Sequence, residues 1–391
     1  MTGNRIISSD QVLTFTILGC LALMPFVSLF WQEQIFFIKL NWILYPILIL
    51  GVFVFVLLRK KVSSPLILFT ILSFFYFILF LIRGGDIEGF FRFFIAVLPF
   101  LFLPFFEIKG LKGTKLFFIF YILFFSPAIY MAYLQYSGQL PYNDFDYVDG
   151  EEIGRMSGGY SKPMNFIAFL TPLYILSLYF IVVHGKRLIG GIVMACVLTI
   201  IYFIGHRTSL AAFVLIAIAF FFKGPLFILI FNYYKYYFNF LIGVFSFLFF
   251  YLLKIKVGLV DEIRGRVPMW QAHAQEFFQA DTFSILFGNQ KVHLPDYYIG
   301  NPLIVRYDEV HNNSFRTILL FGLIGYFFYC TFMRWLVIST YHAQTDLKKR
   351  FIIFASLIYF MVYTITNEPF YYGSIVGPIL IWVFLLRKNI D

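Results

Sequence analysis

The residues best suited to chemistry are a few cations and one histidine set between apolar stretches. Arg207 stands in the turn Ile204-Gly205-His206-Arg207-Thr208-Ser209, where two apolar segments must reverse direction within very few residues. A guanidinium is always charged and makes bidentate hydrogen bonds to phosphate oxygens, so a lipid-linked phosphate suits it. An arginine snorkelling to the bilayer interface would occupy the same kind of position. A second group, Asp261-Glu262-Ile263-Arg264-Gly265-Arg266-Val267-Pro268-Met269-Trp270, sets Arg264 and Arg266 ahead of a helix-starting proline and an aromatic residue. These arginines either bind an anion or belong to a solvated basic loop. The third is His311-Asn312-Asn313-Ser314, just ahead of a long apolar stretch. Histidine titrates near neutrality and can relay a proton or donate to an anionic leaving group. It can equally be an interfacial capping residue, with Ser314 available to cap the following helix.

Carboxylates are fewer. The run Asp144-Phe145-Asp146 to Asp149-Gly150-Glu151-Glu152 contains an Asp-x-Asp pair of the kind that can hold a divalent metal, although acidic loops are ordinarily just solvated. Glu368 is a further available base, or a turn residue ahead of Pro369.

The elements that position these residues belong to a membrane protein. Of 391 residues 61% are hydrophobic and only 13% charged, against roughly 25% charged in soluble domains. Windows of about 20 apolar residues, the length that crosses a bilayer core, recur about twelve times. The expected spans are 11–30, 41–58, 65–82, 91–106, 115–134, 163–183, 188–205, 208–222, 237–253, 315–338, 351–366 and 370–386. The first is too long for a secretory h-region and lacks a small-residue cleavage site, so it reads as a retained helix. The fold class expected is an all-α polytopic membrane protein, one domain over 1–391, with a large periplasmic loop at 254–312 containing short surface helices. Helical periodicity from Pro268 to Phe278 puts Trp270, Ala274 and Phe277/Phe278 on one stripe, as in a helix lying on the outer bilayer surface.

Threading the spans alternately puts Arg59-Lys60-Lys61, Lys109/Lys112/Lys115, Lys186-Arg187, Lys223/Lys235, Lys348-Lys349-Arg350 and Arg387-Lys388 on one side, which the positive-inside rule makes the cytoplasm, with both termini. The acidic run, the Arg207 turn, the stretch Lys254 to Val310 and Asn367-Glu368-Pro369 fall on the other. Phe231 to Tyr237 reads as an aromatic belt along the cytoplasmic interface. The net charge of +10 is dispersed in short loops rather than gathered, so a nucleic-acid partner is set aside. Cys20, Cys196 and Cys330 sit in apolar windows and behave as small hydrophobes. No internal repeat marks the halves of a transporter.

Taken in order, these segments resemble the O-antigen ligase and polymerase superfamily. The likeness is carried by Gly154-Arg155-Met156-Ser157-Gly158-Gly159-Tyr160-Ser161-Lys162-Pro163 with Asn165, by Gly205-His206-Arg207-Thr208-Ser209, by Arg264-Gly265-Arg266 with Trp270 and then Ile285-Leu286-Phe287-Gly288, and by His311-Asn312 with Ser314-Phe315 and Gly322-Leu323-Ile324-Gly325. It covers Gly154 to about Tyr329. Phe315 stands where the family usually has leucine, and spacing to Trp270 favours Arg266 over Arg264 for the Arg-x-x-x-Trp position.

The resemblance implies a metal-independent glycosyltransferase without a soluble cofactor, in the bacterial inner membrane with its active site facing the periplasm. Donor and acceptor would be glycans on undecaprenyl diphosphate, joined by attack of an acceptor hydroxyl at the anomeric carbon with loss of the lipid diphosphate. Arg207 and Arg266 would stabilise the departing charge. His311 would deprotonate the acceptor or hydrogen-bond the diphosphate. Arg264, Arg155, Glu368, Trp270 and Asn312 would bind substrate, and a chain-length regulator is a further partner. A ligase delivering the glycan to lipid A core fits the same blocks; the aromatic stretch Tyr297 to Tyr307, able to bind sugar faces, favours a polymerase. A flippase would instead need cations lining a mid-membrane cavity.

Overall fold

The computed structural model describes Leu23, Phe26, 64–87, Phe90, 111–142, 144–148, 151–160, 163–253, 266–289, 310–343 and 345–366. These residues are mostly helical: α1 (Ser64–Ile82), α2 (Leu111–Tyr136), α3 (Pro163–Val182), α4 (Arg187–Ile204), α5 (Arg207–Phe221), α6 (Lys223–Lys235), α7 (Phe238–Leu252), α8 (Arg266–Gln279), α9 (Thr282–Phe287), α10 (Asn313–Ala343) and α11 (Leu347–Thr366). The stretches Ile119–Tyr136, Arg187–Ile204 and Asn313–Ser339 are long and apolar enough to cross a membrane, and α5 with α6 adds one more if that bent pair is a single span. Shorter apolar stretches lie in α1, α3 and α7. Their outward side chains, among them Ile71, Phe74, Phe203, Phe221 and Phe245, are exposed, a surface suited to lipid rather than water. The spans expected at 41–58, 91–106 and 370–386, and that at 11–30 apart from Leu23 and Phe26, lie outside the described residues.

Ring and hydroxyl contacts fix how the helices run. Ser209 at the start of α5 hydrogen-bonds Tyr359 late in α11 at 3.0 Å, while Lys223, just past the end of α5, lies 5.6 Å from the Phe351 ring early in α11. These two helices are antiparallel. α10 also opposes α11: Asn312 donates to the Ile365 carbonyl at 3.1 Å, and Tyr341 meets Phe354 at the other end, rings 6.1 Å apart. α7 opposes α10, with Tyr237 stacked on Phe327 and Phe250 edge-on to Phe315. Tyr136 against Phe203, 5.0 Å between rings, brings the ends of α2 and α4 together. Lys223 and Lys348 to Arg350 therefore share one end of the bundle. The Arg207 turn, the segment after α2 and the start of α10 share the other.

The acidic run is not a loop. Asp144–Val148 (β1) pairs antiparallel with Glu151–Arg155 (β2), with Asp144 opposite Arg155 and Asp146 opposite Ile153. The all-α expectation is corrected to this extent: Phe145 and Tyr147 alternating with Asp144 and Asp146, followed in the sequence by an Asp-Gly pair, is a hairpin pattern that the charge run hid. The hairpin is tied to α2 through the buried Gln135, whose carbonyl accepts from the backbone N–H groups of Ser157 and Gly158 at 2.9 and 3.0 Å.

Two further features concern helix ends. The belt expected at Phe231 to Tyr237 runs through the end of α6, a helix of 13 residues bent 120° from α5, with Tyr237 in left-handed geometry, φ 57°, at the corner into α7. α10 begins at Asn313, earlier than the expected 315, and is broken at Gly322, φ 67° and ψ −172°. A break strands carbonyls that a helix would satisfy. Here Tyr76 of α1 donates to the Phe321 carbonyl at 2.7 Å and the Asn289 N–H to that of Leu319 at 2.9 Å. A β-carbon on Gly322 would overlap the backbone of Leu286 and Gly288, and one on Gly288 would overlap that of Leu320. Arg83 holds α9 in this position, donating to the Ser284 hydroxyl at 3.1 Å and lying 4.7 Å over the Phe283 ring.

Candidate functional site

The segment leading into α10 is held from several sides. His311 has φ 54°, a conformation disfavoured for residues with a β-carbon and concentrated at functional positions. Asn312 follows and caps the helix: its side-chain oxygen accepts from the Phe315 N–H at 3.0 Å. Ser314, the expected cap, lies inside the first turn, because the helix begins at Asn313. The Trp270 indole donates to the Val310 carbonyl at 2.6 Å, and its ring lies edge-on to Phe315 and Phe250. α8 therefore packs its Trp270, Ala274 and Phe277 stripe against α7 and α10.

The Arg207 turn reaches the same end of α11. Gly205 ends α4 with φ 71°, and His206 caps α5, its Nδ1 accepting from the Ser209 N–H at 3.2 Å. The His206 ring stacks 6.2 Å from Tyr363, two residues before the Ile365 carbonyl that Asn312 engages. Arg207 itself is exposed at the first position of α5 and has no hydrogen-bond or ion-pair partner among the described residues.

The other expected site residues fall less centrally. Arg266 is the first residue of α8, one turn ahead of Trp270. Arg155 ends β2, opposite Asp144, and is half-buried. Arg264, Glu368 and the stretch Tyr297 to Tyr307 lie outside the described residues. Among the described residues no three His, Cys, Asp or Glu side chains form a metal-binding group.

Beside the His311 segment lies a polar group that motif reading passed over. His273 is completely buried on α8, and burial, with a smaller repulsion from Arg316, holds its proton affinity down at about 3. Arg316, in the first turn of α10, meets the Asp86 carboxylate at 3.8 Å. Glu276, one turn from His273 and half-buried, is pushed up to about 7 by desolvation. The signal was present in the sequence: His273 is three residues from Trp270, so it shares the stripe assigned to packing.

The sign of the His273 shift gives a measurable consequence. The folded state refuses a proton that the unfolded chain takes up near pH 6.5, so this stability is present above that pH and lost as pH falls toward 3. The slope is at most about 1.4 kcal/mol per pH unit. Glu276 acts oppositely, losing stability as pH rises through 7, but it is half-exposed and therefore weaker. Thermal melts of the purified protein between pH 7 and 5 should fall, and His273→Phe should flatten that fall; an unchanged slope in the variant would sink the assignment. Comparison with protein-family models, with curated proteins and with solved structures finds no match to this chain.

Proposed function

We propose that the protein polymerises oligosaccharide repeat units carried on undecaprenyl diphosphate, at the periplasmic face of the bacterial inner membrane. The observation that supports this reading is the shared anchorage of its motifs: the His206-Arg207 turn and the His311-Asn312 segment both lodge on Tyr363 to Ile365, and Trp270 is bonded to Val310 beside His311. An exposed arginine, a histidine in strained backbone and an aromatic helix thus gather at one end of the bundle. Such a group neutralises a leaving diphosphate and handles the acceptor proton.

About twelve spans and a periplasmic 254–312 loop belong to the same proposal. The gathering of Lys223 and Lys348 to Arg350 at the opposite end supports it through the positive-inside rule.

The test is to incubate purified protein with lipid-linked repeat units and look for a ladder of products, in the presence and absence of chelator. Elongation surviving chelation is expected. No ladder, with transfer to lipid A core instead, would make the protein a ligase; movement of the lipid-linked unit across vesicles without bond formation would make it a flippase. In intact cells a cysteine placed at the exposed Asp281 should react with an impermeant maleimide from the periplasm. Labelling only after the inner membrane is opened would put the site on the wrong face.

A further inference from the structure

At the end of the bundle opposite the Arg207 turn, α6 and α7 enclose a groove of about 810 Å³, within the range of about 300–1,000 Å³ that holds ligand-sized molecules. Gly224, Pro225, Ile228, Leu229, Asn232 and Tyr233 line it from α6, and Phe238 and Ile242 from α7. The groove is open, since Ile228, Leu229, Phe238 and Ile242 are all exposed. Its hollow begins at Gly224, where a β-carbon would meet open space. Helical spacing sets Lys235 on the same stripe of α6 as Gly224, Ile228 and Asn232. Its ammonium stands at the rim: Nζ lies 4.9 Å from the Tyr236 ring, and that ring lies 6.2 Å from Phe238 inside the groove.

A second cation joins it at this corner. Arg334 donates through Nε to the Lys235 carbonyl at 3.1 Å and lies 5.3 Å over the Tyr237 ring. Arg334 belongs to the stretch Asn313–Ser339, apolar and long enough to cross a membrane, where a charge ordinarily has a counter-ion or reaches the interface. The helices around it supply no counter-ion, because α6, α7 and α10 contain no aspartate or glutamate. An open apolar groove ending at uncompensated cations matches a molecule with an apolar tail and an anionic head. A second copy of this chain matches it less well, since a two-fold contact sets the same cations against each other. We propose that the α6–α7 groove binds an anionic phospholipid of the surrounding bilayer, its acyl chain along Ile228, Leu229, Phe238 and Ile242 and its phosphate at Lys235, with Arg334 adding charge at the corner.

The test is native mass spectrometry of the full-length protein released from nanodiscs made of equal parts phosphatidylglycerol and phosphatidylcholine with the same acyl chains. Phosphatidylglycerol should be retained in preference. Lys235→Gln should lower its retention about fivefold. Gly224→Trp fills the groove from an exposed position, so it should lower retention while leaving the melting temperature unchanged. Lys223→Gln removes the same charge, but its ammonium is turned to Phe220 and Phe351, at 3.8 and 5.6 Å, and retention should persist. Equal retention of the two lipids would overturn the proposal. So would equal losses in Lys235→Gln and Lys223→Gln, which would report surface charge alone. A dimer that Gly224→Trp dissolves would put a second copy in the groove and overturn it likewise. The measurement needs no turnover, so it stands or falls apart from the polymerase reading.

Discussion

His311→Ala should abolish elongation in the ladder assay while the protein still inserts and folds. The side chain is half-buried at the entry to α10, so only part of its surface packs against the bundle. Histidine and alanine both carry a β-carbon at φ 54°, so the exchange adds little backbone strain and the melting temperature should stay close to that of the unmodified protein. Loss of a general acid or base lowers rate by about 10² to 10⁴-fold, enough to reduce a ladder to starting material. Arg207→Lys should fall between wild type and Arg207→Ala, because an ammonium keeps the charge without the bidentate fork. Normal ladders from His311→Ala, with expression confirmed, would remove the histidine from the mechanism.

Gly322→Ala should have the largest effect on the fold. Gly322 (φ 67°, ψ −172°) and Gly288 (φ 88°, ψ 164°) both occupy backbone regions open essentially to glycine alone. They also face each other, so an added methyl meets backbone, which cannot turn aside. Strain and overpacking together amount to about 3 kcal/mol or more. Relief requires parting α9 from α10, which releases the Asn289 bond to Leu319 and shifts the Phe321 carbonyl from Tyr76. The expected result is a melting temperature lowered by many degrees or loss of the folded protein. Gly191→Ala, where a β-carbon meets open space, is the control and should be near neutral. Equal melting temperatures for the two variants would show that the close approach does not exist.

Much of the helix pattern is legible in the sequence, since apolar length is a local property. The spans read at 163–183, 188–205 and 208–222 are helices Pro163–Val182, Arg187–Ile204 and Arg207–Phe221, because a long apolar helix satisfies its own backbone and announces itself by hydropathy. The helix read from Pro268 to Phe278 likewise appears, as Arg266–Gln279. The residue types at Arg207, Trp270 and His311 could be chosen for their chemistry from sequence, because charge and hydrogen-bonding capacity belong to the side chain itself. Tertiary structure decided what those residues touch. That Gly288 and Gly322 meet, that Trp270 bonds to Val310 and that His206 and Asn312 share an anchor on α11 depend on pairings between distant segments, to which a hydropathy window is blind. The polar character of His273, Asn313 and Arg316 was likewise written in the chain. Their burial together was not, because exposure is set by the neighbours a side chain acquires only when α8 closes against α10.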